Sequence, residues 1–214
     1  DYLNIKINKI IVLNGFRRVG KTYLLYGLAN ELLKSNSREE VIQINFEDER
    51  IPLKTEFLSS LLPTAEEIFN KKIKYLFLDE LHNIPNWSKW LRRTYDNQNM
   101  RIFVSGSSSR MSEEEIPTEL RGRFLEIKIF PLSFKEFLKF KKLNFDFKIL
   151  DYSEKEKPLI LKALTEYLTY GGLPETVLID KNKKFELTQS YYATVIKRDI
   201  VERYNVKNEE SLKK

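Results

Sequence analysis

The chain has 214 residues, 42% of them hydrophobic and 13% aromatic, enough to bury one ordinary core, or a large core and a small one, and too apolar for global disorder. It contains no cysteine, which excludes a disulfide framework and a zinc–thiolate site and suits a reducing interior. The net charge is +6, from 37 Lys and Arg against 31 Asp and Glu.

That excess is uneven. Residues 1–127 hold 19 basic and 18 acidic side chains, whereas residues 128–214 hold 18 and 13. The basic C-terminal third is a candidate for DNA or RNA contact, and Lys-rich solvated helices account for the charge equally well. No apolar run approaches the roughly 18 residues that span a bilayer, so no membrane association is expected. The opening DYLNIKINK lacks the apolar core of a signal peptide. It begins with Asp rather than Met, as a fragment of a longer protein would. These features together predict a cytoplasmic protein.

Five β-like runs are met in order: IIVL at 10–13, VIQINF at 41–46, KYLFLD at 74–79, RIFVSG at 101–106 and FLEIKI at 124–129. Helical patterns fall between them, at 21–34, at 55–70 with an interruption near Pro63, and at 87–98. Strands alternating with helices predict a parallel sheet covered on both faces. The continuous apolar character of the first, third and fourth runs fits central strands. After Pro131 the pattern turns helical, at 132–140, 158–172 and 185–204. Gly171 and Gly172, with Pro174 soon after, give a strong helix stop. The predicted organisation is an α/β core over 1–130 and a helical lid or subdomain over 131–214.

Between the first strand and first helix lies GFRRVGKT at 15–22. It matches the pattern of a glycine, four residues, then Gly-Lys and a hydroxyl residue, in the strand-to-helix context that the pattern requires. The glycines let backbone N–H groups turn inward around phosphate oxygens, and the helix start adds positive potential. The predicted nucleotide-binding set is Gly15, Phe16, Arg17, Arg18, Val19, Gly20, Lys21 and Thr22, with Tyr23 following. Lys21 would reach the β- and γ-phosphates, and Thr22 would hold Mg2+ through its hydroxyl. The run KYLFLDEL then sets Asp79 and Glu80 at the C-terminal edge of the sheet, where ligands bind in such folds. Asp79 would act on Mg2+ through its water shell, and Glu80 would polarise the attacking water as general base.

Other candidates surround this pair. Ser105 is placed to bond the γ-phosphate or the lytic water, or to form a plain Ser-Gly turn. Asn45 orients Glu80 or caps a loop. His82, the lone histidine, is either a surface residue or a γ-phosphate sensor. In LRGR, Arg121 and Arg123 suit the charge that develops on a transferring phosphoryl group, and one of them could tie down a loop instead. Two apart in an extended segment they would face the same side, with Gly122 leaving the approach open. No NKxD motif reads guanine, so adenine is favoured, by absence only.

Taken together, GFRRVGKT, LFLDELHNIPNWSKWLRRTYDN, FVSGSSSRM, ELRGRF, PLSFKEF and YLTYGGLPETVL resemble the archaeal and bacterial AAA+-type P-loop ATPases that carry GxRRVGKT. The likeness runs over roughly residues 8–205. It implies an ASCE-type P-loop NTPase core with a five-stranded parallel sheet in the order 5-1-4-3-2, and ATP with Mg2+ as ligands. By position it assigns Lys21 and Thr22 to the P-loop, Asp79 and Glu80 to the acidic motif, and Ser105 to the first sensor. Arg121 and Arg123 match its LRGR block. Family members often carry a further C-terminal domain, which a chain stopping at Lys214 is expected to lack. Three functions follow as expectations: an Mg2+-dependent ATPase, a nucleotide-gated switch or scaffold with little turnover, and a small-molecule phosphotransferase with LRGR as a lid clamp. The last is disfavoured, since Glu80 stands where a water-activating base is wanted. A homo-oligomer is expected if the arginines act on a neighbour's nucleotide.

Overall fold

Successive apolar side chains along each central strand point to opposite faces of the sheet, and that decides which helix covers which. A computed structural model describes residues 9–107, 118–145, 155–201 and 206. The DYLNIKINK start up to residue 8, residues 108–111 of the FVSGSSSRM block and residues 202–204 of the last predicted helix lie outside them. Strands β1 (Ile10–Gly15), β2 (Val41–Asn45), β3 (Tyr75–Asp79), β4 (Arg101–Ser107) and β5 (Phe124–Ile129) form one sheet in the order β2-β3-β4-β1-β5. This is the expected 5-1-4-3-2 order, and the paired strands run parallel.

Ile11 and Leu13 of β1, Phe77 of β3 and Phe103 of β4 point to one face. There they meet Leu25, Ala29 and Leu32 of helix α1 (Lys21–Leu32). Ile10, Val12, Leu76, Leu78, Ile102 and Val104 point to the other. That face is covered by Leu58 and Leu62 of α2 (Thr55–Phe69) and by Trp90 and Leu91 of α3 (Trp87–Asn97). The register puts Phe77 beside Phe103, and their rings stack with centroids 4.6 Å apart. Burial of such side chains is worth roughly 1.5–3 kcal/mol each, so the strands carrying the acidic motif are fixed by core packing.

Pro63 does not interrupt α2, contrary to expectation. The helix runs unbroken from Thr55 to Phe69 with Pro63 inside it. Pro63 lies on the exposed side of the helix, so the carbonyl that loses its N–H partner faces water instead of the core. Asn70 closes the helix in a left-handed conformation at φ 49°.

The described residues divide into two compact units. One comprises Asp1–Phe16 and Gly20–Ile129, and the other Arg17–Val19 and Phe130–Lys214. In the second, α4 (Phe134–Phe140) opens with a capping box between Ser133 and Glu136. It packs Phe137 and Leu138 on Ala163 of α5 (Glu156–Tyr170) and Val177 of α6 (Pro174–Leu178). Helix α6 is a short element that the sequence patterns did not disclose. Helix α7 (Lys181–Thr194) continues into a π-helical turn at Val195–Val201. The Gly171-Gly172 stop holds: α5 ends at Tyr170, and Gly171 takes φ 77°. A Cβ on Gly172 would lie 2.2 Å from the carbonyl oxygen of Leu132, so only glycine fits there. Within this unit the buried Lys184 ammonium pairs with Glu166 at 3.2 Å, and Lys141 meets the same carboxylate at 2.6 Å. No helix among the described residues is long and apolar enough to cross a membrane.

Candidate nucleotide-binding site

Strand β1 carries Gly15 to the C-terminal edge of the sheet, and α1 begins only six residues later. The turn between them uses two left-handed residues, Arg18 at φ 66° and Gly20 at φ 98°. Turns that mix right- and left-handed residues are the kind of backbone that builds an anion-binding nest. Glycine adopts that conformation without strain, whereas Arg18 holds it at a cost of about 1 kcal/mol. Lys21, 6% exposed, donates from Nζ to the carbonyls of Gly15 and Phe16, each at 3.0 Å. The ammonium thus closes the loop on itself. Val19 is buried, Phe16 is partly exposed and Tyr23 is 83% exposed. The Tyr23 side chain therefore faces solvent one residue beyond Thr22.

Thr22 Oγ1 donates to Asp79 Oδ2 at 2.6 Å, and Ser105 Oγ donates to Asp79 Oδ1. Both oxygens of a 2% exposed carboxylate are therefore held by hydroxyls, one from α1 and one from β4. Such bonds make burial of the charge tolerable. Glu80 follows in a left-handed conformation (φ 54°, ψ 38°), and its N–H donates to the Ser105 carbonyl at 3.1 Å. That turn separates the two carboxylates: Asp79 stays in the strand and Glu80 leaves it. The Glu80 carboxylate lies 3.4 Å from Nδ1 of His82, with the two side chains 16% and 8% exposed.

The remaining candidates divide. Asn45 accepts the N–H of Glu47 on its side-chain oxygen at 2.9 Å, which is the loop-capping role. His82 is not a surface residue; it packs on Glu80. Arg121 and Arg123 do not occupy an extended segment with a shared face. The chain turns through a 3-10 element at Thr118–Leu120, and Gly122 takes φ 76°. The Arg121 and Arg123 N–H groups bond back to the carbonyls of Thr118 and Leu120. Gly122 supplies the bend that an extended reading overlooked. Arg123 forms two hydrogen bonds to Asp96, at 2.9 and 3.2 Å, which raise its own pKa and lower that of Asp96. Arg121 is exposed. Arg18, grouped with the helical unit, lies 3.7 Å from the Glu175 carboxylate and 5.3 Å over the Tyr191 ring. The Arg123–Asp96 pair is the loop-tying role left open for one of the two arginines, with Asp96 the partner that the sequence did not name. The His82–Glu80 contact was missed, and the spacing of His82 two residues after Glu80 was its one signal.

The donor set fits a triphosphate with a divalent cation. A nest and a buried ammonium address anionic oxygens, and the Thr22 hydroxyl and Asp79 carboxylate are adjacent hard oxygen ligands of the kind Mg2+ takes. No group of three or more His, Cys, Asp or Glu able to hold a metal occurs among the described residues.

Residues 7–138 match a family model described as AAA domain. An uncharacterized protein of Methanocaldococcus jannaschii is 44% identical over 208 residues, 96% of this chain and 45% of that protein. An uncharacterized protein of Haemophilus influenzae is 30% identical over 211 residues, 95% of this chain and 49% of that protein. The chain thus spans about half the length of these curated relatives. The structure of C. elegans PCH-2 superimposes with a TM-score of 0.51 at 13% identity, over 92% of this chain and 63% of that one, a likeness of fold. With the family model covering the phosphate loop, the Asp-Glu strand and the strand order that joins them, the chain belongs to the AAA domain family of AAA+ P-loop ATPases.

Proposed function

We propose that the chain binds ATP with Mg2+, hydrolyses it, and couples hydrolysis to a conformational change of its helical unit. The observation that carries this reading is the pairing of both Asp79 oxygens with the Thr22 and Ser105 hydroxyls, which holds Glu80 at the edge of the sheet. The residues of the loop between Gly15 and Thr22 hold the phosphates, and Lys21 exchanges its loop carbonyls for phosphate oxygens. Thr22 and Asp79 hold the metal, which when bound neutralises charge on the phosphates. Glu80 accepts the proton of the attacking water. Ser105 stands at the sensor position, and an arginine stabilises the γ-phosphoryl group in the transition state.

Residues 131–214 are read as the lid. Arg17–Val19 group with the helical unit, and Arg18 meets Glu175 and Tyr191 within it. A ligand drawing on this loop would therefore bias those contacts. Dependence on ATP fits a cytoplasmic setting. Contact of the basic C-terminal third with DNA or RNA belongs to the same proposal, with stimulation of turnover by nucleic acid as its test.

A second reading is supported by the Glu80–His82 contact at 3.4 Å. A base held against a histidine suits a nucleotide-gated switch that turns over only when that contact is released. Steady-state hydrolysis with and without nucleic acid separates the two. Turnover that requires Glu80 supports the ATPase, and ATP binding without turnover under any condition supports the switch.

A further inference from the structure

Among the described residues, strand β2 is an edge of the sheet, paired on one side only. Lys74 N–H bonds to the Glu40 carbonyl and Phe46 N–H to the Asp79 carbonyl, so even-numbered residues aim their backbone groups at β3. By alternation, Val41, Gln43 and Asn45 aim theirs outward. The two outermost of these groups are already engaged. Val41 N–H donates to the Arg38 carbonyl, and the Asn45 carbonyl accepts from Asp48 N–H at 3.2 Å. Four have no partner among the described residues: the Val41 carbonyl, the Gln43 N–H and carbonyl, and the Asn45 N–H.

These four are self-complementary about Gln43. Place a second β2 antiparallel with Gln43 opposite Gln43, and each Gln43 N–H meets the other's carbonyl. Each Asn45 N–H then meets the other's Val41 carbonyl. Four hydrogen bonds form and no outward group is left over. The groups already engaged inside each chain are the ones that this pairing does not need.

The side chains agree with the backbone. Beyond β2 lies a groove of about 360 Å³, walled by Phe57, Leu61, Ala65 and Ile68 of α2. Positions 57, 61, 65 and 68 form one helical stripe, and its outer end is bare, with Ile68 71% exposed. Helix α2 thus carries more apolar surface than this sheet can cover. In the antiparallel pair Ile42 stands opposite Ile44 of the second copy, on the face that α2 covers. We propose that the groove is filled by a second copy of this chain, giving a two-fold dimer with one continuous sheet across paired β2 edges. The dimer uses the sheet edge opposite β5, so it leaves the LRGR turn before β5 open and is independent of any contact in trans through Arg121.

The test is sedimentation of the 214-residue chain across protein concentration, combined with cross-linking. Because the chain has no cysteine, Gln43→Cys introduces a single thiol per copy, and a short bismaleimide should join two copies. Tyr23→Cys, exposed on α1, should not cross-link. Gln43→Pro removes two of the four bonds and should weaken association by about 10-fold or more. Ile68→Lys should also weaken it, and because Ile68 is exposed the fold, checked by circular dichroism, should persist. A chain that stays monomeric at its highest soluble concentration would overturn the proposal. So would a dimer indifferent to both substitutions, or one that Gln43→Cys does not trap. A monomer that instead binds an extended peptide at β2 would also overturn it, in favour of a foreign strand.

Discussion

Thr22 at the start of α1 and Asp79 at the end of β3 are joined by a 2.6 Å hydrogen bond across 57 residues of sequence. The bond brings together the two side chains that the proposed metal site requires. Thr22→Val keeps the shape and removes the hydroxyl. Nucleotide affinity in Mg2+ should then fall to the level measured in EDTA, while affinity in EDTA stays unchanged. Calorimetric titration in both buffers checks this, and an intact Mg2+ effect would remove Thr22 from the metal site.

Lys21→Ala should weaken ATP binding by about 10- to 100-fold, the scale of a lost hydrogen bond to a charged group. The same substitution also releases the Gly15 and Phe16 carbonyls that Lys21 holds. The loop should therefore become more susceptible to proteolysis even without nucleotide. Equal affinity for wild type and variant would rule out the phosphate cradle.

Arg123 is engaged with Asp96, which leaves Arg121 as the exposed arginine of LRGR. Arg121→Ala should lower kcat by about 10³-fold if it stabilises the transferring phosphoryl group. If it acts in trans, mixing Arg121→Ala with Glu80→Gln chains should restore partial activity, because one composite site is then intact. Failure of rescue, with a specific activity independent of protein concentration, assigns it to its own subunit.

The second unit makes a separate prediction about stability and pH. Burial pushes the Glu166 carboxyl up, but hydrogen bonds from Lys141 and Lys184 outweigh it and hold its pKa below the ordinary 4.5. A lowered folded pKa means that this group stabilises fully above its unfolded value and loses the contribution as pH falls through the folded one. Glu166→Leu leaves the buried Lys184 without its carboxylate and should cost about 3 kcal/mol or more at neutral pH. Urea unfolding across pH should show the gap from wild type narrowing below about pH 4.5. A gap that does not change with pH would assign the loss to packing.

Much of the fold was legible in the sequence because the core strands are written without ambiguity. Phe77 and Phe103 sit within continuous apolar runs, and such runs mark central strands by their composition alone. The motif residues Lys21, Thr22, Asp79 and Ser105 follow, since strand ends fix where they project. What escaped depends on the conformation of turns. The left-handed turn at Glu80 brings His82 against it, and the bend at Gly122 sends Arg123 to Asp96. Neither conformation is dictated by local pattern. Pro63 was misread because local propensity ignores which side of a helix faces water.

Glu80 is the residue proposed to activate water as general base. Glu80→Gln preserves size and hydrogen-bonding shape but removes the proton acceptor. Steady-state ATP hydrolysis, measured beside direct ATP binding, should show turnover falling by about 10²-fold or more while affinity holds. Hydrolysis within a few-fold of wild type, at equal nucleotide occupancy, would remove Glu80 from that role.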